Sequence, residues 1–97
     1  MYRPLPDSLT IKNSPINGLG LFAVEDIETG TLLGVVRVPD VRFENGYIRT
    51  PLGGFINHSN EPNCVIYDVD GFPSLVTLRG IKAGEELTVS YTLYQIG

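Results

Sequence analysis

No segment of this chain sustains an apolar repeat near 3.6 residues, and that is its strongest constraint, because a helical layer needs such a stripe to bury. In its place stand short alternating or continuous apolar runs, cut by turns rich in glycine, proline, asparagine and aspartate. Leu9-Thr10-Ile11-Lys12 alternates apolar with polar and reads as a half-buried strand, ended by Asn13-Ser14-Pro15. Asn17-Gly18-Leu19-Gly20 reads as a turn that opens directly into a strand at Leu21-Phe22-Ala23-Val24. After a polar turn over 25–30, Leu32-Leu33-Gly34-Val35-Val36-Arg37-Val38 reads as one buried strand stopped by Pro39-Asp40. Glu44-Asn45-Gly46-Tyr47 carries the Asn-Gly hairpin signal. A second hairpin is expected where Val65-Ile66-Tyr67 and Leu75-Val76-Thr77-Leu78 flank the turn 68–73. Glu86-Leu87-Thr88-Val89-Ser90-Tyr91 alternates again, placing Leu87, Val89 and Tyr91 on one face. The expected class is therefore mostly β, with at most short helical turns around Leu52 to Asn57.

With 97 residues, 42% of them hydrophobic, the chain is expected to form one compact domain over 1–97, near the lower end of what folds unaided. Seven Lys and Arg against eleven Asp and Glu leave a net charge of −4, which argues against a nucleic-acid backbone as direct partner and favours basic peptides. One cysteine excludes an internal disulfide, and one histidine with one cysteine falls short of the four ligands of a structural zinc site, so no metal is expected. The aspartate-rich turn 68–73 lacks the spacing and terminal glutamate of a calcium loop and reads as a solvated turn. Met1 to Asp7 has no apolar run behind its charge, and nothing approaches the roughly 20 apolar residues of a membrane span. An intracellular protein, cytoplasmic or nuclear, is expected, with no signal peptide and no membrane association.

The densest polar stretch is Gly53-Gly54-Phe55-Ile56-Asn57-His58-Ser59-Asn60-Glu61-Pro62-Asn63-Cys64, which holds the only histidine, the only cysteine and three asparagines. Phe55 and Ile56 lead in as core anchors, and Pro62 disfavours helix at Glu61, so a rigid polar loop should follow. On the residues alone two readings stay open: ordinary turn chemistry, since Asn and Ser bond their own backbone, or a binding loop. The same holds for Gly18 and Gly20, which either supply positive φ or allow close backbone approach to a ligand. They make neither a Rossmann nor a P-loop fingerprint, because a strand follows where those motifs need a helix. Asn57-His58-Ser59 spells a glycosylation sequon without a secretory signal beside it, and Cys64 with His58 lacks the third group that orients a thiol nucleophile. Ile81-Lys82-Ala83-Gly84 echoes Ile27-Glu28-Thr29-Gly30 and suggests two similar β-turn-β layers.

Three stretches, in this order, resemble the SET-domain protein lysine methyltransferases: Gly18-Leu19-Gly20-Leu21-Phe22-Ala23 with Asp26-Ile27 and Gly30; Phe55-Ile56-Asn57-His58-Ser59 with Pro62-Asn63-Cys64; and Ile81-Lys82-Ala83-Gly84-Glu85-Glu86-Leu87-Thr88-Val89-Ser90-Tyr91. The resemblance spans most of 9–91. It implies a SET-domain-like fold of small curled β-sheets with a carboxy-terminal pseudoknot, an exception to the rule that chains do not thread loops. It also implies methyl transfer from S-adenosylmethionine to a lysine of a basic protein or peptide. Carried over, it assigns the backbone of Gly18, Leu19 and Gly20 to the cofactor, the Asn57 side chain to its methionine part, the His58 backbone to its adenine edge, and Tyr91 to catalysis. Departures are visible too: Val35-Val36-Arg37-Val38 stands where a Glu-Tyr-x-Gly element is usual, and the insert before the Asn-His motif is almost absent. The apolar residues Leu93, Tyr94 and Ile96 lead to the expectation that a second copy of the chain, in a homodimer, or a partner protein completes the lysine channel. A SET-like module that binds cofactor or basic peptide without useful catalysis, and a structural assembly subunit, are the alternatives.

Overall fold

The computed structural model describes residues 5–39, 42 and 46–90; Tyr91, the tail with Leu93, Tyr94 and Ile96, and hence the expected carboxy-terminal threading lie outside the described residues. In chain order the elements are β1 (Leu9–Asn13), β2 (Leu19–Ala23), β3 (Leu32–Val35), β4 (Arg37–Pro39), β5 (Tyr47–Arg49), α1 (Pro51–Phe55), β6 (Asn57–His58), β7 (Cys64–Val69), β8 (Phe72–Thr77) and β9 (Glu86–Val89). They form three small sheets, ordered β1-β2-β9-β6, β3-β8-β7 and β4-β5. The molecule is thus mostly β, with one short helix among the described residues, where a helical turn was expected.

Alternation explains the first sheet. β9 lies between β2, antiparallel, and β6, parallel, with Leu21 opposite Leu87 and Asn57 opposite Thr88. Leu87 and Val89 point into a core shared with Leu21, Leu75, Ile81 and Cys64, each at most 1% exposed. Glu86 and Thr88 therefore face the other way. Thr88 is buried all the same, because asparagines from the polar loop cover that face.

Several expectations need correction. The run Leu32 to Val38 is two strands in different sheets. The chain breaks at Val36, whose N–H donates to Pro73 O at 2.8 Å and whose carbonyl accepts the Thr50 N–H at 2.9 Å. Gly34 prepares the break with φ 143°, a backbone open chiefly to glycine, at a register slip between β3 and β8. Gly20 belongs to β2 and not to the turn, so only Gly18 of the pair has positive φ. The β7–β8 hairpin is present, but its strands run longer than expected. The turn shrinks to Asp70-Gly71, both at positive φ as in a type I′ turn, and Pro73 sits inside β8 opposite Asp68. β4 and β5 pair antiparallel, while Asn45 of the expected Asn-Gly turn lies outside the described residues. The echoing segments are not two separate layers. They bridge one another, Ile27 and Ile81 exchanging reciprocal N–H···O bonds of 2.7 and 2.8 Å.

α1 is held by its start. Thr50 caps it, accepting the Gly53 N–H and donating its hydroxyl to Val35 O at 2.6 Å, and Pro51 occupies the first turn, where its missing N–H costs nothing. Gly53 packs directly on the Val36 carbonyl, where a Cβ would collide. That contact seats the helix against the β3–β4 break and delivers Ile56 and Asn57 to the edge of β9.

Candidate functional site

The polar face of β9 is gripped by two asparagines. Asn57, at the start of β6, turns its Nδ2 toward Glu86 Oε2 at 2.9 Å, Ser14 Oγ at 3.2 Å, Asn17 O at 3.2 Å and Leu19 O at 3.3 Å. Four acceptors around one amide nitrogen with two hydrogens leave no doubt which way the amide points. Glu86 in turn accepts the Ser14 hydroxyl on both carboxylate oxygens at 2.8 Å. Gly20 must be glycine for this cluster to form, since a Cβ there would strike the Glu86 carboxylate and crowd Asn57 Nδ2. The Asn57 Oδ1 is directed away from the cluster and meets no donor among the described residues.

Asn63 makes a closed circuit. Its Nδ2 donates to Glu86 O and its Oδ1 accepts the Thr88 N–H, both at 2.8 Å, so the side chain pairs with β9 as a neighbouring strand would. Between the asparagines the loop satisfies itself: the Glu61 N–H donates to Ser59 Oγ at 3.1 Å, and His58 Nε2 lies 3.1 Å from Asn60 Oδ1.

A cleft of about 330 Å³ opens beside Asn57. Its described walls are Asn17 from the glycine turn, Gly53, Gly54 and Ile56 from the helix and its end, Val36, Ile66, Arg37 and Arg49 from the sheets, and Ser90 after β9. Two of the three stretches that carried the resemblance therefore reach one cavity, through Ile56 and Asn57 and through Ser90, and Asn17, directly before the first stretch, joins them. Of the expected site residues Asn57 lines it. Leu19 and Gly20 lie behind Asn57, Leu19 through its carbonyl and Gly20 through the room it leaves for Glu86. Gly18 sets the turn, with φ 48°. His58 is beside the cleft and not among its described walls; its backbone is held in the parallel β6–β9 pair, and the next residue, Ser59, donates to Val89 O at 2.9 Å. Tyr91 lies outside the described residues and directly follows Ser90 in sequence.

Cys64 does not serve as a nucleophile. It is buried beneath the loop, and burial pushes its thiol up to about 12, so it stays protonated at neutral pH. Two carboxylates are held below their ordinary range, Glu85 by the Arg79 guanidinium within the second echoing turn and Asp26 by the Ala83 N–H and then Lys82, which ties the two turns together; neither is among the cleft's described walls. Among the described residues no three of His, Cys, Asp and Glu gather where a metal ion could sit, and no helix is long and apolar enough to cross a membrane. Sequence reasoning passed over Ser14, Asn17, Glu86, Asn63 and the two arginines. Glu86 and Asn63 stood inside the quoted motifs, and their polarity amid core-forming neighbours was the signal available.

Comparison with known proteins comes to the same place. A family model described as the SET domain matches residues 41–92, just over half of the chain. A crystal structure of a Plasmodium falciparum protein assigned as a histone methyltransferase is similar at TM-score 0.65 and 20% identity, over 89% of this chain and 94% of that one. The SET domain of the tumour suppressor RIZ1 (PRDM2) is similar at TM-score 0.69 and 20% identity, over 92% of this chain and 72% of that one. At such identity these likenesses speak for the fold.

Proposed function

The chain belongs to the SET-domain family of protein lysine methyltransferases, and from that premise we propose that it transfers a methyl group from S-adenosylmethionine to a lysine side chain of a basic protein or peptide. The observation that carries the reading is the convergence of Asn17, Asn57 and Ser90, one from each resembling stretch or its border, on a single cleft. The cofactor supplies a methyl group on a positively charged sulfur, displaced in line by an amine. The residues present fit it: Asn57 Oδ1 is an acceptor unused among the described residues, suited to the ammonium of the methionine part, and Glu86 and Ser14 hold the amide in that sense. The His58 backbone, fixed by β9, would serve the adenine edge.

The work left to the protein is alignment and desolvation. Alignment of amine, methyl and sulfur supplies much of the acceleration in such a displacement. A lysine must also be neutral to attack, and bringing its pKa from about 10.4 to pH 7 costs roughly 4.6 kcal/mol without help. Val36, Ile56 and Ile66 give the cleft apolar walls, which disfavour the ammonium form and lower that cost. Tyr91, with a phenol pKa ordinarily near 10, orients the amine by its oxygen and does not act as a strong base.

Calorimetry with S-adenosylmethionine and a lysine-rich peptide methylation assay test this together. Wild type binds the cofactor and transfers methyl groups; Tyr91→Phe keeps the affinity and loses about 100-fold or more in rate, the scale expected when reacting groups lose their alignment. Cofactor bound without transfer in either protein favours the non-catalytic binding module, and no binding at all removes the methyltransferase reading.

A further inference from the structure

The β4–β5 pair places Arg37 directly opposite Arg49. Directly opposed residues of an antiparallel pair share a face with Cβ atoms about 5 Å apart, and like charges so placed repel. Both arginines line the cleft. None of the cleft's other described walls is acidic, although the chain as a whole carries a net charge of −4. Arg37 is half-buried, so its charge acts through a poorer dielectric than a surface charge does. Arg49 is exposed and makes no hydrogen bond or ion pair among the described residues. A positive subsite repels a substrate lysine and attracts an anion. The anionic group of a zwitterionic amino-acid ligand meets that requirement in the same cavity where Asn57 offers an acceptor.

We propose that Arg37 and Arg49 form an anion subsite that holds the carboxylate of the methionine part of S-adenosylmethionine, while Asn57 Oδ1 takes its ammonium. This rests on the cofactor reading above. It adds the residues that tell the full amino-acid end of the ligand from a truncated one. A guanidinium suits the task because its fork of donors matches a carboxylate and it stays charged at any working pH.

The test is calorimetry on the full chain with two ligands, S-adenosylmethionine and its decarboxylated analogue, against wild type, Arg37→Ala, Arg49→Ala and Arg49→Lys. Each alanine variant is expected to lose about tenfold or more in affinity for S-adenosylmethionine, the scale of one hydrogen bond to a charged group, and less than about twofold for the analogue. Arg49→Lys recovers part of the loss, as a point charge without the fork. Circular dichroism checks folding, and the exposed Arg49 keeps the test standing should Arg37→Ala unfold. Equal losses for both ligands, or none for either, overturn the subsite while leaving the cofactor reading intact. Unchanged cofactor affinity with weakened peptide methylation places the anion on the peptide and overturns it as well. A wild type that binds neither ligand sinks the cofactor reading and this inference with it.

Discussion

Asn57 and Asn63 stand six positions apart in one motif, both buried and both gripping β9 at Glu86, yet they are wired differently. Asn63 spends both ends of its amide on backbone, the Glu86 carbonyl and the Thr88 N–H, and has nothing left to offer. Asn57 crowds acceptors around its nitrogen and leaves its oxygen without a donor among the described residues, beside an open cleft. A buried polar group normally finds partners, since desolvation without one costs on the order of 1–3 kcal/mol. A closed circuit therefore marks a residue that holds the fold, and an open one beside a cavity is what the proposed cofactor role of Asn57 requires.

The comparison breaks most visibly at Asn63. Asn63→Ala strands a buried N–H and a buried carbonyl on the interior strand β9, so a loss of about 3 kcal/mol is expected. Thermal unfolding should fall by roughly 15 °C for a chain of this size. Cofactor affinity of the protein that remains folded should hold; if stability barely moves, the circuit is not structural.

Asn57→Ala should invert the pattern. Its own cost is nearer 1 kcal/mol, because the carbonyls of Asn17 and Leu19 belong to exposed residues that water can reach. What disappears is ligand stabilisation, about 2.7 kcal/mol for wild type at 100 times the dissociation constant. Thermal shift with and without S-adenosylmethionine measures both at once, and a variant that still shifts like wild type would mean that Asn57 is merely a second clasp.

Glu86→Gln sharpens the contrast, because Asn63 uses the Glu86 backbone while Asn57 uses its carboxylate. The substitution should weaken cofactor binding about threefold to tenfold, as an amide grips Ser14 and Asn57 less firmly than a charge does. Stability should change by less than about 1 kcal/mol. Equal damage to stability and binding would erase the distinction between the two circuits.

The smallest effect is expected away from both asparagines. Glu85 and Asp26 are held below their ordinary range in the folded chain, so the stability they contribute is present above the unfolded pKa near 4 and is lost as pH falls through the lowered folded values. Both are solvated, and the contribution is small. Glu85→Gln should flatten the acid limb of a melting-temperature profile and leave cofactor affinity at pH 7 unchanged. A change in that affinity would connect the echoing turns to the cleft.

Local signals carried much of the architecture. Alternation placed Leu87 and Val89 on the core face, two β runs about the turn 68–73 announced a hairpin though not its two-residue tip, and the short apolar stretch before Asn57 could make only a brief helix. These are legible because neighbours in sequence decide them. The resemblance of three stretches likewise named the family before any coordinate did. Other features depended on partners far along the chain. Leu32 to Val38 reads as one strand because a β run shows no sign of changing sheets, and the break at Val36 comes from Pro73 and Thr50. Gly20 looks like a turn glycine until Glu86 fills the space beside it. The sequence by itself determined a mostly β chain with an amide-rich loop, since period and turn chemistry act within a few residues. Only the tertiary structure decided which asparagine closes the fold and which opens on the cleft. Both are the same side chain, and the difference lies in whether β9 meets one end of the amide or both.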